Sequence, residues 1–244
     1  MRSIRRFKKI NIMLNNLPIF IPVFFGLTTV LTLFLFLKSV ERPPQYKTVL
    51  GVLIAWSVLQ MGIGLTGFYQ KTDTLPPRFL LAVALPLLLI VALFSSKNGR
   101  KFIENLDLKA LTYLHIVRIP VELTLLWLYQ HGTIPEIMTF EGRNFDIISG
   151  ITAPFIAYFG FTKKTLNSTV IIAWNVVCLI LLFNIVITAA LSVQTPLQQL
   201  AFEQPNRAVL FFPFVWLPSV IVPLVLFAHL VVIKRLWKKG VMPS

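Results

Sequence analysis

Long apolar stretches alternate with short polar segments along the chain. The apolar stretches lie at about residues 17–37, 48–68, 79–95, 108–130, 147–162, 169–193 and 211–233. A helix needs about 20 predominantly apolar residues to cross the hydrocarbon core of a bilayer, and most of the stretches approach that length. The pattern predicts an all-α fold, a polytopic transmembrane helix bundle with about seven spans.

Two parts of this pattern differ from a simple helical span. Residues 1–14 mix basic and apolar side chains, which predicts a short interfacial amphipathic helix before the first span. The stretch at 147–162 is the shortest and contains Gly150, Pro154 and Gly160, so it could be a broken or re-entrant segment. No shift in composition marks a domain boundary, and residues 1–244 are predicted to form a single transmembrane domain.

Composition agrees with a lipid-exposed body that has basic ends. Hydrophobic residues make up 56% of the chain and charged residues 13%, with a formal net charge of +14. Soluble domains carry about 25% charged residues. The basic residues cluster at the ends of the apolar stretches, where they suit lipid headgroups, and no nucleic-acid recognition motif is present. The bilayer is therefore the expected partner, and nucleic acid is not.

The distribution of Lys and Arg predicts the orientation. Thirteen basic residues lie in the loops after the first, third and fifth spans and in the C-terminal tail. The opposite loops and the N-terminal segment together carry nine. Because cytoplasmic loops are enriched in Lys and Arg, we expect the N-terminus outside and the C-terminus in the cytoplasm.

The fourth apolar stretch contains the first candidate site. His115, Arg118 and Glu122 are spaced to share one helix face, and Pro120 predicts a kink beside them. Ionisable groups at membrane depth are costly and usually face a partner, a cavity or a functional path. An Arg118–Glu122 ion pair that locks the helix in place and a functional pocket or proton path are both compatible with this spacing. Gln60, Asn175 and Asn184 could support such a polar core from the second and sixth spans.

Two loops on the predicted outer side form the second candidate site. Each combines an aromatic residue with acids, bases and amides, which favours a lid or vestibule for a zwitterionic or neutral polar ligand. The candidate ligand-binding residues are Glu141, Arg143, Asn144 and Asp146 in one loop and Glu203, Gln204 and Asn206 in the other. For Asp146 itself, the sequence favours a capping role at the start of the fifth helix.

Familiar cofactor chemistry has little support. The single cysteine, Cys178, excludes an internal disulfide and a cysteine-built zinc site, and no metal site or cofactor is predicted. A single b-type haem held by His115 and His229 is geometrically conceivable, because both residues fall in the inner part of antiparallel spans.

The segments 114–122, 139–146 and 202–206 together resemble a group of uncharacterised small polytopic proteins from Bacteroidota-type bacteria. The resemblance implies a multi-pass protein of the bacterial inner membrane and implies no activity. From the residues, we expect an outward-opening polar cavity that binds or translocates a small polar or amphiphilic molecule. The alternatives are an intramembrane enzyme that acts on lipid headgroups or lipid-linked substrates, and a sensory or structural membrane subunit.

Overall fold

The computed structural model describes residues 17–241, so the predicted interfacial helix at 1–14 lies outside the described residues. The described part of the chain has no β-strand, only isolated bridges that join Val40 to Leu106 and Val193 to Asn206. Its α-helices are α1 (Phe20–Leu37), α2 (Pro43–Leu65), α3 (Leu80–Ser95), α4 (Lys97–Glu104), α5 (Leu108–Leu114), α6 (Arg118–Gln130), α7 (Ile147–Ala157), α8 (Ser168–Leu191) and α9 (Val222–Val241). The predicted all-α fold is confirmed.

Each predicted apolar stretch is mainly helical, but the stretches differ in length. Five helical segments between residues 17 and 241 are long and apolar enough to cross a membrane: Phe20–Leu37, Pro43–Leu65, Leu108–Gln130, Ser168–Leu191 and Leu217–Lys238. The pair α3 and α4 makes a sixth if it is one span bent by 89°, and the apolar segment Ile147–Thr162 is shorter. These segments define a polytopic membrane protein, while seven spans and their orientation stay predictions.

The sharp bend between α3 and α4 has a local cause. Ser96 has extended backbone angles, and its hydroxyl accepts a hydrogen bond from the Gly99 N–H at 3.0 Å, which caps α4. A Cβ atom at Gly99 would lie 2.2 Å from the Leu93 carbonyl oxygen. Only glycine therefore allows the two helices to approach so closely at this bend.

The fourth predicted span is interrupted where its polar residues lie. A 3₁₀ turn, His115–Val117, separates α5 from α6. Pro120 has no N–H to bond the Ile116 carbonyl, which accounts for the break at this position. Two π-helical turns, Tyr158–Thr162 after α7 and Leu217–Ile221 before α9, interrupt neighbouring segments.

The core is centred on α9. Ala228, Val231 and Val232 on this helix are fully buried, as are Leu111 and Leu114 on α5. Helix α9 packs against α8 and α5, and α1 packs along α5 and α6. Helix α2 is the most exposed of the membrane-length helices, with 17% of its apolar window buried. The polar residues described next lie where α5, α6, α7, α8 and α9 meet.

Candidate functional site

Eight polar residues from these helices and the segments beside them lie together in the interior, each residue at most 5% exposed. We call this set the ionisable cluster; its members are His115, Arg118, Glu122, Asn144, Asp146, Ser149, Asn175 and His229. Five of them were predicted as ligand-binding residues and Asn175 as supporting polar core. Ser149 and His229 complete the set.

Arg118 is at the centre of the cluster. Its Nη1 donates to an Asp146 carboxylate oxygen in a buried ion pair, and its Nη2 lies 3.1 Å from His229 Nε2. The Ser149 hydroxyl lies 3.4 Å from the same Asp146 oxygen. Of the alternatives that the spacing left open, the Arg118–Glu122 ion pair does not form, because Asp146 supplies the partner carboxylate.

Close packing of α7 against α6 brings Asp146 to Arg118. At Gly150 a Cβ atom would lie 2.9 Å from Ile119 Cγ1 and 3.3 Å from Arg118 Cβ, so the helices touch at this glycine. Asp146 occupies the N-cap position of α7, but its side chain makes no capping hydrogen bond. The predicted capping role of Asp146 is therefore wrong: its carboxylate forms a salt bridge with the Arg118 guanidinium instead.

Glu122 is held by Asn144. The Asn144 side-chain N–H₂ lies 2.7 Å from each Glu122 carboxylate oxygen and 3.0 Å from the Met138 carbonyl oxygen. The Asn144 side-chain oxygen, Oδ1, accepts from the Asp146 backbone N–H at 3.1 Å. Asn144 thus connects the Glu122 carboxylate to the backbone at Asp146, whose own carboxylate pairs with Arg118.

The hydrogen bonds of His229 define its tautomer. Arginine is only a donor, so His229 Nε2 accepts from Arg118 and Nδ1 carries the proton. That Nδ1 lies 2.7 Å from Asn175 Oδ1, and the Asn175 N–H₂ donates to the Ile171 carbonyl oxygen at 2.8 Å. His229 is therefore fixed in place on both sides of its ring.

The ring nitrogens of His115, unlike those of His229, make no hydrogen bond. Its ring stacks on that of His229, with centroids 3.8 Å apart and planes 17° apart, and the Trp174 ring lies 5.6 Å from it, edge to face. Both ring nitrogens of His115 and the Nε of Arg118 are buried and have no hydrogen-bond partner. The cluster therefore has hydrogen-bonding capacity that the protein itself does not satisfy.

A haem does not fit between these histidines. The stacked rings are in van der Waals contact, and both nitrogens of His229 are already engaged, so the two residues do not present axial ligands to one iron. No group of three or more His, Cys, Asp or Glu residues suited to a metal ion occurs among residues 17–241.

The remaining predicted loop residues separate into several environments. Arg143, Glu203 and Gln204 line a pocket of about 480 Å³, which we call the loop depression, together with Tyr129, Glu136 and Thr188. Asn184 donates to the Arg143 carbonyl oxygen at 3.0 Å and so positions this loop. Glu141 is exposed and does not line the depression.

Two other predicted polar residues have structural partners elsewhere. Asn206 is buried and donates to the Ala189 carbonyl oxygen at 3.2 Å. Gln60 accepts a 2.7 Å hydrogen bond from the Tyr69 hydroxyl, in a second small core. Burial raises the pKa of Tyr69, and the hydrogen bond to Gln60 opposes that rise. The structure does not bring Gln60 into the ionisable cluster.

The cluster and the loop depression are adjacent in the chain but not continuous in space. Arg143 lines the depression, and the next residue, Asn144, holds Glu122. Neither Arg118 nor Glu122 lines the depression. Every member of the cluster is buried, so the cluster is closed in this structure.

The helical spans and buried polar core define a polytopic membrane protein with an ionisable interior. The chain belongs to the family described as Domain of unknown function (DUF8737), whose model matches residues 75–237. The matched region includes the whole cluster, from His115 to His229, and leaves α1 and α2 outside it. No curated protein and no solved structure matches the chain.

Proposed function

We propose that this protein binds or translocates a small polar or amphiphilic molecule, that the ionisable cluster is its site, and that the loop depression is the entrance. In this proposal the depression faces the outside of a bacterial inner membrane. The observation that carries the proposal is the unsatisfied hydrogen-bonding capacity of the cluster, at both ring nitrogens of His115 and at Nε of Arg118.

Unsatisfied groups of this kind are costly. Leaving a buried donor or acceptor without a partner costs about 1–3 kcal/mol, and a bound ligand or water that completes the set removes that cost. The cluster also contains two carboxyl groups and one guanidinium, so a ligand ammonium group or a proton would balance its charge. A zwitterion or a protonated amine is the ligand chemistry that fits best.

Helix irregularities support a site that can open. The 3₁₀ turn His115–Val117 carries a cluster residue, and the π-helical turn Leu217–Ile221 directly precedes α9. Broken helices and π turns recur at binding sites of membrane transporters. Movement of the loop that carries Arg143 and Asn144 would connect the depression to Glu122.

A structural role is the second candidate function, and a specific observation favours it. Arg118 with Asp146, Glu122 with Asn144 and His229 with Asn175 are paired across different segments. Such pairs join helices whether or not a ligand binds.

Glu122→Gln separates the two candidates, because glutamine keeps the shape and one acceptor oxygen but removes the charge. Thermal unfolding of the purified protein would be measured with a panel of amino acids, betaines and lysophospholipids. We expect at least one compound to raise the midpoint for the wild type and for the exposed control Glu141→Gln, but not for Glu122→Gln. The unliganded Glu122→Gln protein should remain folded.

Two results would count against the proposal. Equal stabilisation of Glu122→Gln would remove Glu122 from the site. The absence of any hit, together with unfolding of Glu122→Gln, would favour the structural candidate. Flux of the hit compound into proteoliposomes would then distinguish transport from binding, and turnover of a labelled lipid would indicate the enzymatic alternative.

A further inference from the structure

A large apolar groove shares no lining residue with the loop depression. It has a volume of about 710 Å³ and lies between α2, α3 and the segment that begins α9. Val52 and Trp56 on α2, Leu89 on α3 and Leu224 on α9 are among its lining residues. This volume falls within the range of about 300–1,000 Å³ that is usual for ligand pockets.

The groove exists because α2 is attached to the bundle mainly through its C-terminal half, where its buried residues lie. Trp56 Nε1 donates to the Ser219 carbonyl oxygen at 2.8 Å, and Trp216 Nε1 donates to the Ser57 carbonyl oxygen at 2.9 Å. Helices α2 and α3 pack only marginally against each other. The part of α2 that precedes Trp56 therefore stands away from α3 and leaves a lateral opening at membrane depth.

One end of the groove is aromatic and basic. Phe102 and Phe36 line this end together with Phe227, whose ring centroid is 6.5 Å from that of Phe102 and 6.0 Å from that of Phe36. The Phe94 ring lies 5.9 Å from Phe227, and the ammonium group of Lys234 lies 4.8 Å from the Phe94 centroid. The apolar wall thus leads directly to a cationic group.

Further basic residues flank the same end. In the sequence, Lys47 lies between the lining residues Gln45 and Thr48, and Lys101 comes directly before the lining residue Phe102. Both lysines are exposed. Arg42, just before α2, is also exposed. Two exposed acids lie in these segments, Glu41 and Glu104, and Glu104 is already paired with Lys238 at 3.2 Å. Positive charge therefore predominates at this end.

We propose that the groove binds one anionic phospholipid, with an acyl chain along the wall of α2, α3 and α9 and the headgroup phosphate on Arg42, Lys47 and Lys101. The apolar wall excludes polar ligands, and the basic end complements a negative headgroup. A zwitterionic phospholipid would fill the same wall but would lack the net charge that the basic end recognises.

The test uses native mass spectrometry of the full protein from nanodiscs that contain equal phosphatidylglycerol and phosphatidylcholine. We expect the wild type to retain one phosphatidylglycerol at collision energies that remove phosphatidylcholine. Arg42→Gln/Lys47→Gln/Lys101→Gln should reduce that retention about tenfold. The control Lys71→Gln/Lys163→Gln/Lys164→Gln removes the same charge at other loops and should leave retention unchanged.

The groove itself is tested with a second pair of variants. Val52→Trp fills the groove, whereas Ile54→Trp changes an equally exposed position on α2 that does not line it. Only Val52→Trp should abolish retention. Equal retention of both lipids by the wild type, equal loss in both triple variants, or a lipid-free dimer that Val52→Trp dissociates would overturn the proposal.

Discussion

At the scale of single residues, the salt bridge of Arg118 with Asp146 is buried, whereas that of Lys238 with Glu104 is exposed. Both side chains are almost fully buried, at 3% and 7% side-chain exposure. Such a pair contributes little net stability compared with apolar packing, but removal of one partner leaves an uncompensated charge. Each of the two residues therefore needs the other as its buried counter-charge.

We predict that Asp146→Asn destabilises the protein by about 3–5 kcal/mol, because the Arg118 guanidinium loses its buried counter-charge. Reversible unfolding in mixed micelles would measure this loss. Asp73→Asn makes the same chemical change at an exposed position and should shift stability by less than about 0.5 kcal/mol. Similar small losses in both variants would mean that the ion pair is not formed in the membrane.

The sequence could predict which residues of the cluster are buried, but not which residues they contact. The burial of His115, Arg118 and Glu122 follows from their place in an apolar stretch. The partner of Arg118 does not, because helical spacing identifies only neighbours on the same helix, whereas Asp146 comes from another segment. His229 lies at a depth comparable to that of His115 in an antiparallel span, and this match was the available signal for its place in the cluster.

At the scale of helices, the contact of α7 with α6 determines whether Asp146 reaches Arg118. The contact depends on the absence of a side chain at Gly150, where a Cβ atom would also lie 3.1 Å from the Ile119 backbone nitrogen. The bounds of most helices could be predicted from apolar length, but this close approach could not, because it depends on two helices at once.

We expect Gly150→Ala to destabilise the protein by about 1–3 kcal/mol through overpacking against Ile119. The matched control is Gly51→Ala on α2, where a Cβ atom meets nothing within 4 Å. This control should stabilise the helix by about 0.5–1 kcal/mol, because alanine is the better helix former. Thermal unfolding of the two variants measures both effects, and changes of the same sign would contradict the packing described for α7.

At the scale of the whole molecule, the orientation in the membrane determines which side the loop depression and the basic end of the groove face. The loop depression and the basic end of the groove belong to opposite sides of the predicted topology. We expect an impermeant maleimide to label Glu141→Cys on intact cells, and Lys101→Cys only after lysis, both in a Cys178→Ala background. Labelling of Lys101→Cys alone from outside would reverse the assignment of both surfaces.

The proposed function requires that the buried cluster can be reached from the loop depression, and Cys178 provides a native probe of this access. This single cysteine is buried, at 2% exposure, on α8, one turn from the cluster residue Asn175. The most direct measurement is the reaction of Cys178 in proteoliposomes with a small, impermeant, cationic methanethiosulfonate added on the loop side. We expect Cys178 to be modified in the folded protein, and a ligand that stabilises the protein to slow the reaction. Modification only after the protein is unfolded would show that the cluster is not accessible from the depression.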